Sequence, residues 1–96
     1  MNNKLKELYE YSDPEEVNKK AMLLHLNEIH PSSRARTKYM VFDPYEQKMI
    51  FFGQMGYQDY TKHKDEKRRN NFRKRNHRWA NAPIYSPRFL SWYLLW

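Results

Sequence analysis

The spacing of apolar residues changes several times along this chain, and each change marks an element. In "NKLKELYEY", Leu5, Leu8 and Tyr9 recur at helical intervals, which predicts a short helix over residues 3–11. A second helix opens in "SDPEEVNKKAMLLHLNEIH". There Asp13 supplies an N-cap, Pro14 fits the first helical position, and Glu15 and Glu16 sit where the helix dipole favours negative charge. Pro31 disfavours helical geometry at His30, so this helix is expected to stop near Ile29. Its centre, "AMLLHL", is apolar on most sides and predicts burial on more than one face. The segment "PSSRAR" that follows is polar and predicts a loop.

The period then shortens. "TKYMVF" and "KMIFF" are β-branched and aromatic runs on either side of "DPYEQ", the pattern of a β-hairpin whose turn starts at Asp43-Pro44. The chain's two glycines, Gly53 and Gly56, lie just beyond the second run, where the backbone is expected to turn sharply or pass close to something. A further helix is predicted from a cap at Asp65 to about His77. On its wheel Asp65, Phe72 and Trp79 share a narrow sector, Arg68 and Arg69 border it, and Lys67, Lys74, Arg75 and Arg78 lie opposite. Ser86 and Pro87 form another cap and first-turn pair, predicting a last short helix over residues 87–95. The fold class expected is α+β, a small single domain. An N-terminal helical segment (residues 1–33) packs with a hairpin, a basic helix and an aromatic C-terminal tail (residues 34–96).

Charge alters this picture at one place. The net charge is +7, and residues 62–78 hold Lys62, Lys64, Lys67, Arg68, Arg69, Arg73, Lys74, Arg75 and Arg78 against Asp65 and Glu66. Those nine bases and two acids account for the whole excess, so the positive field is directional rather than diffuse. Like charges one turn apart destabilise a free helix, and an anionic partner would relieve that cost. Nucleic-acid phosphate is one candidate and an acidic protein surface another, since arginine makes bidentate contacts with either. Base-specific motifs are absent. Tyr57, Tyr60 and Phe72 are placed either to stack on unpaired bases or to join the core.

Composition excludes more than it selects. With no cysteine there is neither a disulfide framework nor a Cys-based zinc site. His25, His30, His63 and His77 lack ligand spacing, so no metal and no cofactor is expected. Asp59 and Asp65 near His63 make no catalytic constellation; they are expected to neutralise neighbouring arginines, and the chain is not expected to be an enzyme. The N-terminus shows no apolar core of a secretory signal. The longest apolar run, "FLSWYLLW", falls far short of the roughly 20 residues that span a bilayer. Eight Tyr, five Phe and three Trp supply much of the apolar area. Phe72, Trp79, Trp92 and Trp96 are expected to lock the domain, or a neighbour, in place.

One resemblance rests on spaced residues: Phe52-Gly53, Gly56-Tyr57, Asp59-Tyr60-Thr61, His63-Lys64-Asp65, Lys67-Arg68-Arg69, Phe72, Arg75, Trp79, Ser91 and Leu94-Leu95-Trp96. Over residues 38–96 the chain resembles a family of small basic proteins of unknown role encoded by nucleocytoplasmic large (giant) DNA viruses. It departs from that pattern at Asn76-His77, where relatives often carry Arg-His, and at Trp92, where they tend to carry a basic residue. The resemblance implies a non-enzymatic structural protein of the virion, either a minor capsid component or an internal adaptor. Its partners would be acidic surfaces of other virion proteins or the DNA backbone, met in the host cytoplasm or nucleus during infection. A sequence-nonspecific nucleic-acid-binding protein for genome packaging or compaction is the alternative.

Overall fold

Two helices open the chain, α1 (Asn3–Tyr11) and α2 (Pro14–Leu23), in a computed structural model that describes residues 3–96. Both sit where the apolar spacing put them, and Asp13 caps α2 by accepting the Glu15 and Glu16 amides at 3.1 and 3.3 Å. The far end of α2 corrects the expectation. The helix stops at Leu23 rather than near Ile29, because His25 takes a left-handed conformation (φ 59°). With it the Leu26 amide reaches Ala21 O at 2.9 Å and the His25 amide reaches Met22 O at 3.1 Å, the paired bonds of a Schellman stop. Residues 24–29 then run back beside α2, held where Asn18 exchanges hydrogen bonds with both backbone groups of Ile29. Burial on several faces is likewise overturned. Val17 and Ala21 are buried, whereas Met22 and Leu23 are each 75% exposed.

The hairpin forms as expected from β2 (Thr37–Asp43) and β3 (Lys48–Gln54), antiparallel with Tyr39 opposite Phe52 and Asp43 opposite Lys48. Asp43 caps the turn by accepting the Tyr45 and Glu46 amides, and Gln47 takes the left-handed position. A two-residue strand that the pattern did not reveal, β1 (His30–Pro31), pairs with the other edge of β2, giving the order β1-β2-β3. One face of β2 packs Tyr39 and Val41 into the core; on the other the charged Lys38 is buried near its start while Phe42 near its end is exposed.

After the sheet come α3 (Tyr60–His63) and α4 (Glu66–Arg75), a 3₁₀ turn (His77–Asn81), and α5 (Pro87–Leu90), which continues through Ser91–Leu95 as a π-helical turn. Ser86 caps α5 through the Phe89 amide at 3.2 Å. One core joins the N-terminal segment to the rest: Leu8, Val17, Ala21, Leu26 and Ile29 pack with Tyr39, Val41, Phe52, Tyr85, Leu90, Leu94 and Leu95. The α+β class therefore holds, and the greasy tail closes the domain's own core. No helix among the described residues is long and apolar enough to cross a membrane.

Candidate anion-binding face and its supports

A buried polar chain fixes where the basic helix starts. Asp59, 1% exposed, accepts Lys38 Nζ on one carboxylate oxygen at 3.0 Å; on the other it accepts the Thr61 amide at 3.0 Å and the Thr61 hydroxyl. Since the Thr61 proton goes to the carboxylate, Thr61 Oγ1 must accept, from the Asp13 amide at 2.9 Å and the Ser12 hydroxyl at 3.1 Å. Ser12 in turn accepts the Tyr39 hydroxyl at 2.6 Å. All protons in the series thus point toward one carboxylate, which couples the α1–α2 junction, β2 and α3. Burial pulls the Lys38 ammonium below its ordinary range, with Asp59 pulling the other way, and burial pushes the Tyr39 hydroxyl up. This is a correction for Asp59, which neutralises a buried lysine and not a neighbouring arginine. A lone cation inside the apolar run "TKYMVF" was the signal available for that pairing.

Lys64 ends α3 in a left-handed conformation (φ 55°), and Asp65 immediately caps α4 through the Lys67 and Arg68 amides at 3.0 and 3.2 Å. Asp65 is therefore a cap, and it too is not an arginine's counterion. His63 supports the same corner. Its Nδ1 accepts the Asp65 amide at 2.9 Å and its ring lies 5.2 Å from that of Trp96. Burial, and then Arg68, hold its imidazole below the ordinary 6.5, with Lys38 acting the same way and Asp59 and Asp65 opposing. A base with a depressed folded pKa favours the fold while neutral, so its contribution is complete above about 6.5 and is lost as pH falls below that value. Unfolding midpoints should consequently fall more steeply between pH 7 and 5 for the native chain than for His63→Asn, whose amide oxygen can still accept from Asp65. Equal slopes would remove His63 from this role.

Along α4, positions 69, 72, 73 and 76 are half-buried while 67, 68, 70, 71, 74 and 75 are exposed. The inward stripe differs from the sector expected around Asp65, Phe72 and Trp79, because two arginines turn in with Phe72. Arg69 Nε and an Arg73 terminal nitrogen both donate to the Trp96 main-chain oxygen, at 2.8 and 3.1 Å. Arg69 also lies over the Tyr60 ring at 4.5 Å and within 3.9 Å of Glu66, and Arg73 lies 5.2 Å from the Trp92 ring. Tyr60 is thereby occupied; its hydroxyl donates to Glu66, which raises its pKa. Lys64 pairs with Glu16 at 2.5 Å. Three of the nine predicted anion-binding cations, Lys64, Arg69 and Arg73, thus serve the fold.

The other six, Lys62, Lys67, Arg68, Lys74, Arg75 and Arg78, are exposed, and no carboxylate among the described residues lies within ion-pair reach of them. Phe72 stacks on Trp96 at 4.3 Å and meets Trp79 edge-on at 5.6 Å, so these aromatics fasten the basic helix to the tail. Beside Arg75 they line a cleft of about 350 Å³ that also includes Tyr57, Gln54 and Gln58. The two glutamines belong to no pattern that sequence reading picks out. Among the described residues, no group of three or more His, Asp or Glu is arranged to hold a metal ion.

No curated protein and no solved structure matches the chain. Residues 27–76 match a family model described as a family of unknown function (DUF5754). The match takes in β2, β3, the Lys38–Asp59 pair and all of α4, and it ends before Trp79, Trp92 and Trp96. As it spans just over half of the chain, the protein belongs to the DUF5754 family.

Proposed function

We propose that this protein is a small, non-enzymatic structural adaptor that fastens to a polyanionic surface through α4 and the turn after it. Following the resemblance of residues 38–96, we place it in the particle of a large DNA virus, as a minor capsid or internal component. The observation that carries the reading is the division of labour among the nine cations. Three are consumed in holding the helix to the domain, and six stand exposed without a carboxylate partner. A helix anchored on one side and left charged on the other is arranged to meet an anion. Its charge is displayed on helical backbone already held to the domain, so a partner does not have to form the helix.

A second reading, sequence-nonspecific binding of nucleic acid in packaging or compaction, is favoured by the aromatic cleft beside Arg75. Salt dependence separates the two. If nucleic acid is the target, binding to duplex DNA should weaken steeply between about 50 and 200 mM salt. Replacing Lys67, Arg68, Lys74 and Arg75 together by glutamine should cut the slope of log K against log salt by about 3–4. No DNA affinity at low salt would sink the nucleic-acid reading. The adaptor reading predicts stoichiometric recovery with shells emptied of DNA, by mass spectrometry of fractionated particles. Recovery only with the released genome would sink that one.

A further inference from the structure

The cleft beside Arg75 has a makeup that simple charge attraction does not call for. Phe72, Trp79 and Trp96, packed on one another, and Tyr57, which meets no other ring among the described residues, form its aromatic lining, and Gln54, Gln58 and Ser91 supply hydrogen-bonding groups. Tyr57 is 65% exposed, on the loop between β3 and α3 that Gly56 (φ 99°) turns. At the cleft this leaves the ring open to a flat ligand. The Gln54 amide and the Ser91 hydroxyl make no hydrogen bond among the described residues, and Gln58 uses only its amide nitrogen, toward Glu10 O at 3.4 Å. No acidic residue lines the cleft. Lys38, at its floor, is already matched by Asp59, so the one unmatched charge is the Arg75 guanidinium.

Each feature narrows the ligand. Aromatic walls accept a flat ring, and their tolerance of any base is the usual basis of single-strand binding. Side-chain amides suit the mixed donor and acceptor edge of a base, which a purely apolar ligand would leave unpaired. An unpaired arginine at the rim suits a phosphate. The volume, about 350 Å³, lies within the range of small-ligand sites. We propose that this cleft takes one nucleobase together with its phosphate, the base against the aromatic walls with Gln54 and Gln58 at its edge, and the phosphate on Arg75. The inference rests on the nucleic-acid reading above and adds to it a preference for unpaired bases, supplied either by a single strand or by a free nucleotide.

The test titrates the full chain with a short oligothymidylate, with a duplex carrying the same number of phosphates, and with AMP, following tryptophan fluorescence. Trp79 and Trp96 line the cleft, so a stacked base should quench them. The expected result is tighter binding of the single strand than of the duplex, with quenching. Tyr57→Ala and Gln54→Ala alter exposed side chains and should leave the fold intact. Tyr57→Ala should weaken single-strand binding by roughly 5- to 150-fold, the worth of one stacked base, and leave duplex binding unchanged. Lys67→Gln with Lys74→Gln should weaken strand and duplex alike. Quenching by AMP that Tyr57→Ala abolishes would assign the site to a free nucleotide, and quenching by the strand alone would assign it to a strand. Equal affinity of the native chain and both cleft variants for the single strand would overturn the cleft proposal while leaving the charged face standing. Failure of all three probes to bind at low salt would overturn both the cleft proposal and the nucleic-acid reading on which it rests.

Discussion

Replacing Asp59 by alanine should lower the stability of this protein by about 3–5 kcal/mol, the cost of stranding a buried charge. Lys38 and Asp59 are 2% and 1% exposed, and without the carboxylate the ammonium keeps only the Tyr11 carbonyl, at 3.5 Å. The loss spreads, because the Thr61 hydroxyl and amide lose their acceptor and the series back to Tyr39 loses its end point. Domains of this size hold only about 5–15 kcal/mol in all, so the variant should show a much reduced denaturant midpoint. Two controls make the claim specific. The double variant Lys38→Met, Asp59→Leu should recover only the share due to the stranded ammonium, since an apolar pair can replace a buried ion pair at little cost while the Thr61 amide and hydroxyl still lack their acceptor. The single variant should also regain stability as pH rises toward 10.5. A buried lysine held below that value favours the fold once neutral, while the unfolded chain still binds the proton. A loss under about 1 kcal/mol would mean that the pair is dispensable.

The second large effect is expected at Gly53, where alanine should cost about 2–4 kcal/mol. Two causes add. The residue sits at φ 81°, where a side chain costs about 1–2 kcal/mol, and the added methyl would lie 3.1 Å from both Leu95 Cδ1 and Lys38 Cβ. Leu95 is buried in the core, and Lys38 is held by β2 at its backbone and by Asp59 at its tip, so overpacking contributes roughly 1–3 kcal/mol. A smaller unfolded-state term, about 0.4–1 kcal/mol, offsets part of this. Gly56→Ala is the matched control: its φ is 99°, and nothing lies within 4 Å of the added carbon. It should show the conformational cost alone. Should the two variants have equal urea midpoints, close packing of the tail on β3 plays no part.

Both effects turn on residues whose partners are distant in the chain, and this is where sequence reading ran short. Local chemistry was legible. Asp13-Pro14, Asp65 and Ser86-Pro87 were recognisable as helix starts because a cap acts on amides two or three residues ahead, and each caps as expected. The hairpin was legible because its runs and its turn are contiguous. The end of α2 was not, since His25 carries no glycine signature and its left-handed state is stabilised by the fold-back of residues 24–29 onto Asn18 and Tyr85. For the charged face, local concentration of cations was visible, but their employment was not. Arg73 and Arg75 look alike in sequence, yet one donates to Trp96 and the other rims the cleft.

By itself the sequence determined the class of fold, the start of every helix but α3, the hairpin and the single address of the excess charge, because these follow from interactions within a few residues. Tertiary structure alone decided which cations remain available, that Asp59 belongs to Lys38, and that Tyr57, Trp79, Gln54 and Arg75 share one cleft. Those outcomes depend on groups brought together across up to 58 residues of chain, from Lys38 to Trp96. Burial and distance, the quantities that set their energies, exist only once the core has closed.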